Sequence, residues 1–481
     1  MVTLAEMRIR RDTPSFLQSL HTDEFRPRPP SHQVRQSVRR AQDIAASAVS
    51  APDDAFWAGR QGTAAGLLAM NEEFGTEFYA VPRAAAEDPE TAHDVLGGDE
   101  VVIDVQTHYV ADRDRSTAPH LIEMYRYAMP EWWRGLEGYE AYSFGEYLRC
   151  VFVETETAVA VLSSSPGVEE HRQLYNEEMA ATRRLLEEFG GRKRLLNHTV
   201  VDPTRAGDIE SMGRWVEACR PAAWKVYTLG VANTDPSAYG PDMTWREYMP
   251  GKWREETGWM LDDDRLGHQF LDRVSELARV GGPRIICAHK GISGLVDTGS
   301  PRDVGPAAAA HPDLQFVVYH SGYELTEREE GPYSEADADV GTNRLVDTLR
   351  SNAIGPGSNV FAELGSTWFL ATSRPREAAH ILGKLLLAVG EDNILWGTDS
   401  IWYGPTQQLI DAFRAFQIPV EMQEEFGYPA LTSAIKDKIL SRNAARVYGI
   451  DLDEARRNIE NDDLAWVRDA FEHNRRHGSP Q

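Results

Sequence analysis

Eight short apolar runs recur between residues 101 and 399, and they constrain the fold more than any other feature of the sequence. Each run is continuous rather than alternating, which is typical of strands buried on both faces in a parallel sheet. The runs are VVIDV (101–105), AVAVL (158–162), LLNHTVV (195–201), AAWKVYT (222–228), RIICAH (284–289), QFVVYH (315–320), NVFAEL (359–364) and NILWGTD (393–399).

Amphipathic helical stretches separate these runs, for example at 169–190, 263–282 and 373–390. Eight strands alternating with helices indicate an α/β chain that folds as a (β/α)8 TIM barrel, with an N-terminal extension and long loop insertions. An open doubly wound sheet would need a glycine-rich phosphate loop after an early strand, and none follows the first run.

Composition changes along the chain and predicts three parts. Residues 1–100 are expected to form an N-terminal extension, partly helical and partly an extended arm, because they include the proline-rich stretch RPRPP (26–30). Residues 101–450 would form the barrel, and residues 451–481 a C-terminal helical tail.

Polar side chains occur where most of the predicted strands end. In a barrel these ends meet on one face, the face that carries the chemistry of such enzymes. Each residue has a simpler structural explanation, such as a hydrogen-bonded core histidine, but together they favour a bound cation that compensates the buried charge. The residues are Gln106 and His108 after strand one, His198 within strand three, Lys225 in strand four, His289 in strand five, His320 in strand six, Glu363 in strand seven and Asp399 in strand eight.

Charge and cysteine content exclude several classes of partner. The net charge of −25 disfavours binding to nucleic acid or to an anionic membrane surface. No apolar segment approaches the roughly 20 residues of a membrane span. The chain has three widely spaced cysteines and no CxxC motif, which suits a reducing cytoplasm.

Two aromatic-rich inserts, 121–148 and 239–261, follow strands one and four. Loops in these positions would cover the mouth of the barrel and suit a bulky apolar substrate. Packing on the barrel, or an interface of a homodimer, explains them equally well.

Motifs spread over residues 101–450 resemble those of the amidohydrolase-related metal-dependent enzymes. They are IDVQTH at strand one, CAHKG and VVYHSG at strands five and six, ILWGTDS at strand eight and the closing KILSRNAARVYGI. The family has His-x-His where this chain has Gln106 and His108. The amide oxygen of Gln106 is a harder and weaker donor than imidazole, and the set with two carboxylates is closer to what iron accepts.

With Gln106 in this position, the sequence resembles a small oxygenase branch of the superfamily, the barrel-fold nonheme diiron monooxygenases of platensimycin and platencin biosynthesis. The resemblance implies two irons per chain, O2 as co-substrate, an external electron donor and hydroxylation of a bulky, diterpenoid-like hydrophobic acyl-CoA. It implies that the N-terminal arginines or GRKR (191–194) receive the phosphates. The implied metal ligands are Gln106, His108, His289, His320, Glu363 and Asp399, and the implied catalytic residues are Asp399, Glu363 and Lys225.

Two alternatives remain open. The first is a hydrolase or nonoxidative decarboxylase with one divalent ion such as zinc, in which Asp399 acts as general base. The second is a catalytically silent barrel that acts as a binding protein, with Gln106 as a sign of a decayed site.

Overall fold

The computed structural model describes residues 12–18, 30–111, 142–165, 172–188, 193–232, 253–326 and 328–477. Eight parallel strands form its centre, one for each predicted apolar run, so the prediction of a TIM barrel is confirmed. They are β1 (Val102–Thr107), β2 (Thr157–Leu162), β3 (Leu195–Val200), β4 (Ala223–Tyr227), β5 (Ile285–His289), β6 (Gln315–Tyr319), β7 (Val360–Glu363) and β8 (Ile394–Leu395).

The strands pair in sequence order from β1 to β8, and every neighbouring pair is parallel. Contacts between β1 and the chain that follows β8 nearly close the barrel. Thr107 forms a parallel bridge with Ser400, and the Asp399 amide donates to the Gln106 carbonyl at 2.9 Å. The first and last strands therefore bring residues almost 300 positions apart to the same edge.

β8 is shorter than the predicted run 393–399. Its pairing with β7 covers only Ile394 and Leu395. Beyond them, the Trp396 amide donates to the Ile439 carbonyl and the Thr398 amide to the Asp104 carboxyl group at 3.0 Å. The strand ends early because these amides find partners outside the β7 ladder.

The helices lie outside the strands and at the two ends of the barrel. Two π-helical segments, Arg149–Val153 and Lys438–Arg442, accompany them. In the described chain the α-helices are α1 (His32–Ala48), α2 (Asp54–Ala58), α3 (Arg60–Phe74), α4 (Ala84–Glu87), α5 (Pro89–Leu96), α6 (Phe144–Leu148), α7 (Asn176–Glu188), α8 (Asp208–Cys219), α9 (Gly267–Ala278), α10 (Val304–Ala310), α11 (Asn343–Ser351), α12 (Thr367–Thr372), α13 (Pro375–Ala388), α14 (Gln407–Ala415), α15 (Val420–Phe426), α16 (Ser433–Asp437), α17 (Asn443–Tyr448), α18 (Leu452–Asn461) and α19 (Asp463–His477).

Two apolar clusters bury the strands on both faces. The larger cluster packs the helices against the outward side chains of the strands. The smaller fills the barrel interior with residues such as Ile103, Val159 and Phe361, and it continues into α17 and α18 below the amino ends of the strands. Burial on both faces explains why the runs are continuously apolar.

The described part of the first hundred residues packs on the barrel. The Tyr79 hydroxyl donates to the Thr372 carbonyl at 2.6 Å, and the Ser15 amide donates to Gln408 at 2.8 Å. Arg60 contacts the buried Asp411 at 3.3 Å. These long-range bonds attach the helices α1 to α5 to the side of the barrel near α14.

None of the helices in the described ranges combines the length and the hydropathy that a membrane crossing requires.

Candidate active site

A β-bulge in β1 directs two polar side chains into the mouth of the barrel. Asp104 pairs with Ala160 and Thr107 pairs with Leu162, so β1 advances three residues where β2 advances two. Such a bulge re-aims the side chains that follow it. Gln106 Nε2 donates to Asp399 Oδ1 at 2.8 Å, and His108 Nε2 lies 3.1 Å from the same oxygen.

Asp399 is the centre of this group, which we call the Asp399 cluster: Gln106, His108, Ser366 and Asp399. Ser366 donates from its hydroxyl to Asp399 Oδ2 at 2.5 Å. Both Asp399 and Ser366 have positive φ, 61° and 53°. A non-glycine residue in this region costs free energy, and such residues concentrate at functional sites. The cluster is therefore held in place by the surrounding fold.

Glu363 ends β7 beside this cluster and is completely buried. Its carboxyl group accepts hydrogen bonds from the amides of Gly365, at 2.6 Å, and His320, at 3.1 Å. Burial raises the pKa of Glu363 to about 8, although these two amides oppose the shift. The group therefore carries a proton at neutral pH in the protein without ligands.

His289 and His320 form an edge-to-face pair at the ends of β5 and β6. Their ring centroids are 4.6 Å apart. His320 Nδ1 lies 2.7 Å from the Gly365 carbonyl oxygen, which points its Nε2 away from that loop. Tyr227 packs against the other side of the pair, 5.2 Å from the His289 ring.

Lys225 and His198 lie deeper in the barrel than the Asp399 cluster. Lys225 Nζ lies 3.4 Å from the centre of the Tyr319 ring, a cation–π contact, and 4.8 Å from that of Tyr227. His198 Nε2 is 3.4 Å from the Tyr319 hydroxyl. Burial, assisted by Lys225, holds the pKa of His198 well below its usual value, so this imidazole is neutral.

Asp104 supports the cluster from behind and was not singled out from the sequence. Its buried carboxyl group accepts hydrogen bonds from the Gln106 amide at 3.1 Å and from both the amide and the hydroxyl of Thr398. Burial raises its pKa to about 7. The interaction joins the bulge of β1 to the segment that carries Asp399.

Ser366 and two glycines were also missed by the sequence analysis. A side chain at Gly365 would collide with Gln106 Oε1, and one at Gly397 would collide with Glu363 Oε1. The only sequence signal is their position directly after predicted strands, in ELGS and LWGT. Their contacts depend on which strands become neighbours.

The donor set suits a divalent ion, but the side chains do not form a two-metal centre. In the ranges that the structure describes, no three His, Cys, Asp or Glu side chains lie close enough to hold a metal ion. The prediction of two irons held by six ligands is therefore not supported. Gln106 Oε1, in contrast, is a buried acceptor without a hydrogen bond from the described residues, beside the imidazole of His108 and the carboxylate of Asp399. Amide oxygen, imidazole and carboxylate together fit one divalent ion.

The predicted phosphate-binding segments lie elsewhere or outside the described ranges. Lys193 and Arg194 are near the amino ends of the strands, where they pair with Glu454 and Asp462. Arg40, on α1, pairs with Glu72. The N-terminal arginines at 8, 10, 11, 26 and 28 and the first two residues of GRKR are outside the described ranges.

Only the ends of the two aromatic inserts are described, residues 142–148 and 253–261. Tyr142 packs 5.3 Å from Trp402, next to His108, and the Trp259 indole donates to the Tyr227 carbonyl at 3.2 Å. These aromatic residues lie at the mouth of the barrel.

Comparison with known proteins gives one family match. The model of the amidohydrolase family matches residues 256–450, which carry β5 to β8. The comparison with curated proteins gives no match.

Several solved structures resemble the chain at low identity. A candidate 2-pyrone-4,6-dicarboxylic acid hydrolase from Pseudomonas putida has 15% identity and a TM-score of 0.42, with 74% of this chain and 100% of that chain covered. A 2,6-dihydroxybenzoate decarboxylase from Rhizobium has 15% identity and a TM-score of 0.42, and the match covers 73% of this chain and 100% of that chain. A 5-carboxyvanillate decarboxylase from Novosphingobium aromaticivorans, complexed with manganese, has 15% identity and a TM-score of 0.41. The match covers 73% of this chain and 97% of that chain.

These comparisons correct the predicted activity. The matching family model is that of an amidohydrolase, not of an oxygenase. The prediction of a diiron monooxygenase, and of an oxidoreductase in general, was therefore wrong. It gave too much weight to one substitution, Gln106. Residues 256–450 are therefore similar to the amidohydrolase family, and the fold of the chain is a TIM barrel.

Proposed function

We propose that this protein is a hydrolase that uses one divalent metal ion at the Asp399 cluster. The observation that carries the proposal is the convergence of Gln106 and His108 on Asp399 at the carboxyl end of a barrel whose residues 256–450 match the amidohydrolase model. These three side chains would hold the ion. A divalent ion bound there supplies Lewis acidity and a more acidic water.

The protein supplies the proton transfer and the orientation. Asp399 acts as general base toward the attacking water, and Ser366 fixes the direction of its carboxylate through the 2.5 Å hydrogen bond. Lys225, between two aromatic rings, contributes positive charge below the site. The aromatic residues Tyr142, Tyr227 and Trp402 limit access of water from the sides.

Nonoxidative decarboxylation is a second candidate reaction, and Glu363 favours it. Loss of CO2 leaves a carbanion that must receive a proton, whereas hydrolysis begins with removal of a proton from water. Burial raises the pKa of Glu363 to about 8 in the protein without a metal ion, which favours the protonated form of this carboxyl group. Glu363 would then be the acid that protonates the carbon.

The same proposal places the enzyme in the cytoplasm with a small-molecule substrate. Cys150, Cys219 and Cys287 are all buried thiols, which agrees with a reducing compartment. Neither reaction requires the external electron donor or O2 of the oxygenase hypothesis.

Metal analysis and anaerobic assays test the proposal. We expect close to one divalent ion per chain by elemental analysis after purification with manganese and zinc. The protein should hydrolyse esters or lactones of aromatic acids, or release CO2 from aromatic carboxylic acids, at the same rate with and without O2. A chelator should abolish turnover, and added metal should restore it.

The variant Gln106→His sharpens the test. An imidazole in place of the amide should bind zinc more tightly, because nitrogen is the better donor for that ion. The matched control is Gln423→His, which changes a half-buried glutamine on α15. Absence of bound metal from the wild-type protein, or turnover that survives complete metal removal, would overturn the proposed function.

A further inference from the structure

The inner wall of the barrel carries a buried hydroxyl group, that of Ser163, which forms no hydrogen bond with the described residues. Ser163 directly follows β2, and its amide donates to the Thr107 carbonyl at 2.8 Å, so the pairing with β1 continues one residue past the strand. Val159 and Val161 belong to the apolar cluster in the barrel interior. Side chains alternate along a strand, so Ser163 faces the interior as these two valines do.

A row of three polar side chains crosses the first three strands at this position. The last pairs of the ladder are Thr107 with Leu162 and Leu162 with Asn197. The residues that come next in the chain form the row, which runs from β1 to β3: His108, Ser163 and His198. Because strands tilt in a barrel, the row descends from the Asp399 cluster at the mouth to His198 deeper in the interior. Neighbouring strands are about 4.8 Å apart, so Ser163 is within reach of a ligand bound at that cluster.

His198 carries a free acceptor atom in this row. The Tyr319 hydroxyl donates to the Val105 carbonyl at 2.6 Å, so its oxygen accepts from His198 Nε2, 3.4 Å away. Burial, assisted by Lys225, holds the pKa of His198 well below its usual value, and the neutral ring has one proton. With that proton on Nε2, Nδ1 is an acceptor, and it has no hydrogen bond within the described ranges.

The two free groups are complementary to a single kind of ligand group. Ser163 Oγ can donate and His198 Nδ1 can only accept, both side chains are completely buried, and they are not hydrogen-bonded to each other. Buried polar groups without a partner cost free energy unless a ligand binds them. A group that accepts from the serine and donates to the histidine satisfies both, and an uncharged hydroxyl group does this. A carboxylate or a carbonyl oxygen cannot, because neither donates.

We propose that Ser163 and His198 bind an uncharged hydroxyl group of a ligand. The assignment of that ligand rests on the proposed function, because we assign the hydroxyl group to the substrate whose acyl or carboxyl group faces Asp399. The substrate class is then an acid or an ester that also carries a free alcohol group. Ser163 and His198 select for this group and orient the substrate beside the Asp399 cluster.

Ligand pairs that differ by one hydroxyl group test the proposal without any need for turnover. The probes are the three isomers of (hydroxymethyl)benzoate, each compared with the ethylbenzoate of the same ring position, which has a methyl group in place of the hydroxyl. By calorimetry on the full chain, at least one hydroxymethyl isomer should bind about fivefold more tightly than its ethyl counterpart, the effect of one hydrogen bond. Ser163→Ala should remove this preference. Absence of a preference in all three pairs would overturn the proposal.

The matched control is Ser37→Ala. Ser37, on α1, is also completely buried with a hydroxyl group that has no partner among the described residues, but it lies outside the barrel. Neither substitution should lower the unfolding midpoint, since each removes an unsatisfied polar group. Ser37→Ala should keep the ligand preference of the wild type. If Ser163→Ala kept it as well, or lowered only the unfolding midpoint, Ser163 would be a structural residue and the proposal would fail.

Metal analysis separates this proposal from the proposed function. If the protein prefers a hydroxymethyl ligand through Ser163 but neither holds metal nor turns over esters or acids, the proposed function fails and the hydroxyl site stands. If it holds metal and turns over while all three ligand pairs bind alike, the proposed function stands and the hydroxyl site fails.

Discussion

The two ends of the barrel bury polar groups in different ways. At the amino end, Arg194 donates to the carbonyls of Thr157 and Ala158 at 2.8 Å and contacts Asp462 at 2.6 Å, with both side chains almost completely buried. At the carboxyl end, Gln106 Oε1 is buried and accepts no hydrogen bond from the described residues. The amino end of the barrel therefore holds an ion pair whose hydrogen bonds are complete, and the carboxyl end holds a side-chain oxygen that is available to a ligand.

This difference indicates what each end contributes. A buried charge with all its partners present fastens α18 and α19 to the strands and needs nothing further. A buried acceptor that lacks a partner costs free energy unless a ligand satisfies it. Positive φ angles at His320, Ser366 and Asp399 place backbone strain at the same end. The amino end stabilises the fold, and the carboxyl end is built for binding.

Replacement of Asp399 should give the largest effect, and it should lower turnover and metal affinity rather than the stability of the fold. Asp399→Asn keeps the shape of the side chain but cannot accept a proton, so kcat should fall by about 10²–10⁴-fold. Circular dichroism should show an unchanged fold. The control Asp437→Asn changes a partly exposed carboxylate in a surface ion pair. Activity within a factor of about two of wild type would remove Asp399 from the chemistry.

Replacement of Arg194 should show the opposite pattern. Arg194→Ala leaves Asp462 buried without its partner, and the free energy of unfolding should fall by about 3–5 kcal/mol. Turnover of the folded protein should not change. The neighbouring Lys193→Ala breaks an exposed pair and should cost at most about 1 kcal/mol. Urea unfolding measures both, and equal losses would contradict the distinction between the buried and the exposed pair.

The pH dependence of stability should report Asp104. Burial raises its pKa to about 7, above the roughly 3.9 of an unfolded chain. The protonated group therefore stabilises the fold fully below about pH 4, and this contribution, up to about 4 kcal/mol, is lost as the pH rises through about 7.

The variant Asp104→Asn tests this because asparagine does not titrate. Its free energy of unfolding should fall less than that of the wild type between about pH 4 and about pH 8. Asn461→Ala, on α18, is a control far from the mouth of the barrel. If the free energy of unfolding changed with pH in the same way for the wild type and for Asp104→Asn, the Asp104 carboxyl group would have the same pKa in the folded and the unfolded protein.

Replacement of Ser366 should have the smallest effect. Ser366→Ala removes the hydrogen bond that orients Asp399, and such supporting contacts are worth about 10–100-fold in metal affinity or turnover. The effect should fall on kcat and metal affinity, with stability nearly unchanged. The control is Ser334→Ala, at the start of a surface turn. A purely structural role would instead lower the unfolding midpoint and leave kcat intact.

The sequence predicted the number, order and approximate limits of the strands. Continuous runs such as IICAH are apolar because both faces of each strand are buried, and this property can be read locally. The same reasoning placed His108, His289 and Asp399 at the carboxyl ends of their strands. It did not predict the bulge in β1, the early end of β8 or the contact of Lys225 with Tyr319.

The sequence by itself determined the barrel and the polar character of its carboxyl end, because strand burial and strand-end position are properties of local patterns. Only the tertiary structure decided which of those polar groups meet. Gln106 and Asp399 are 293 positions apart, and their contact at 2.8 Å depends on closure of the barrel and on the bulge that turns Gln106 inward. Distances between distant segments follow from the packing of the whole chain, which no local pattern encodes.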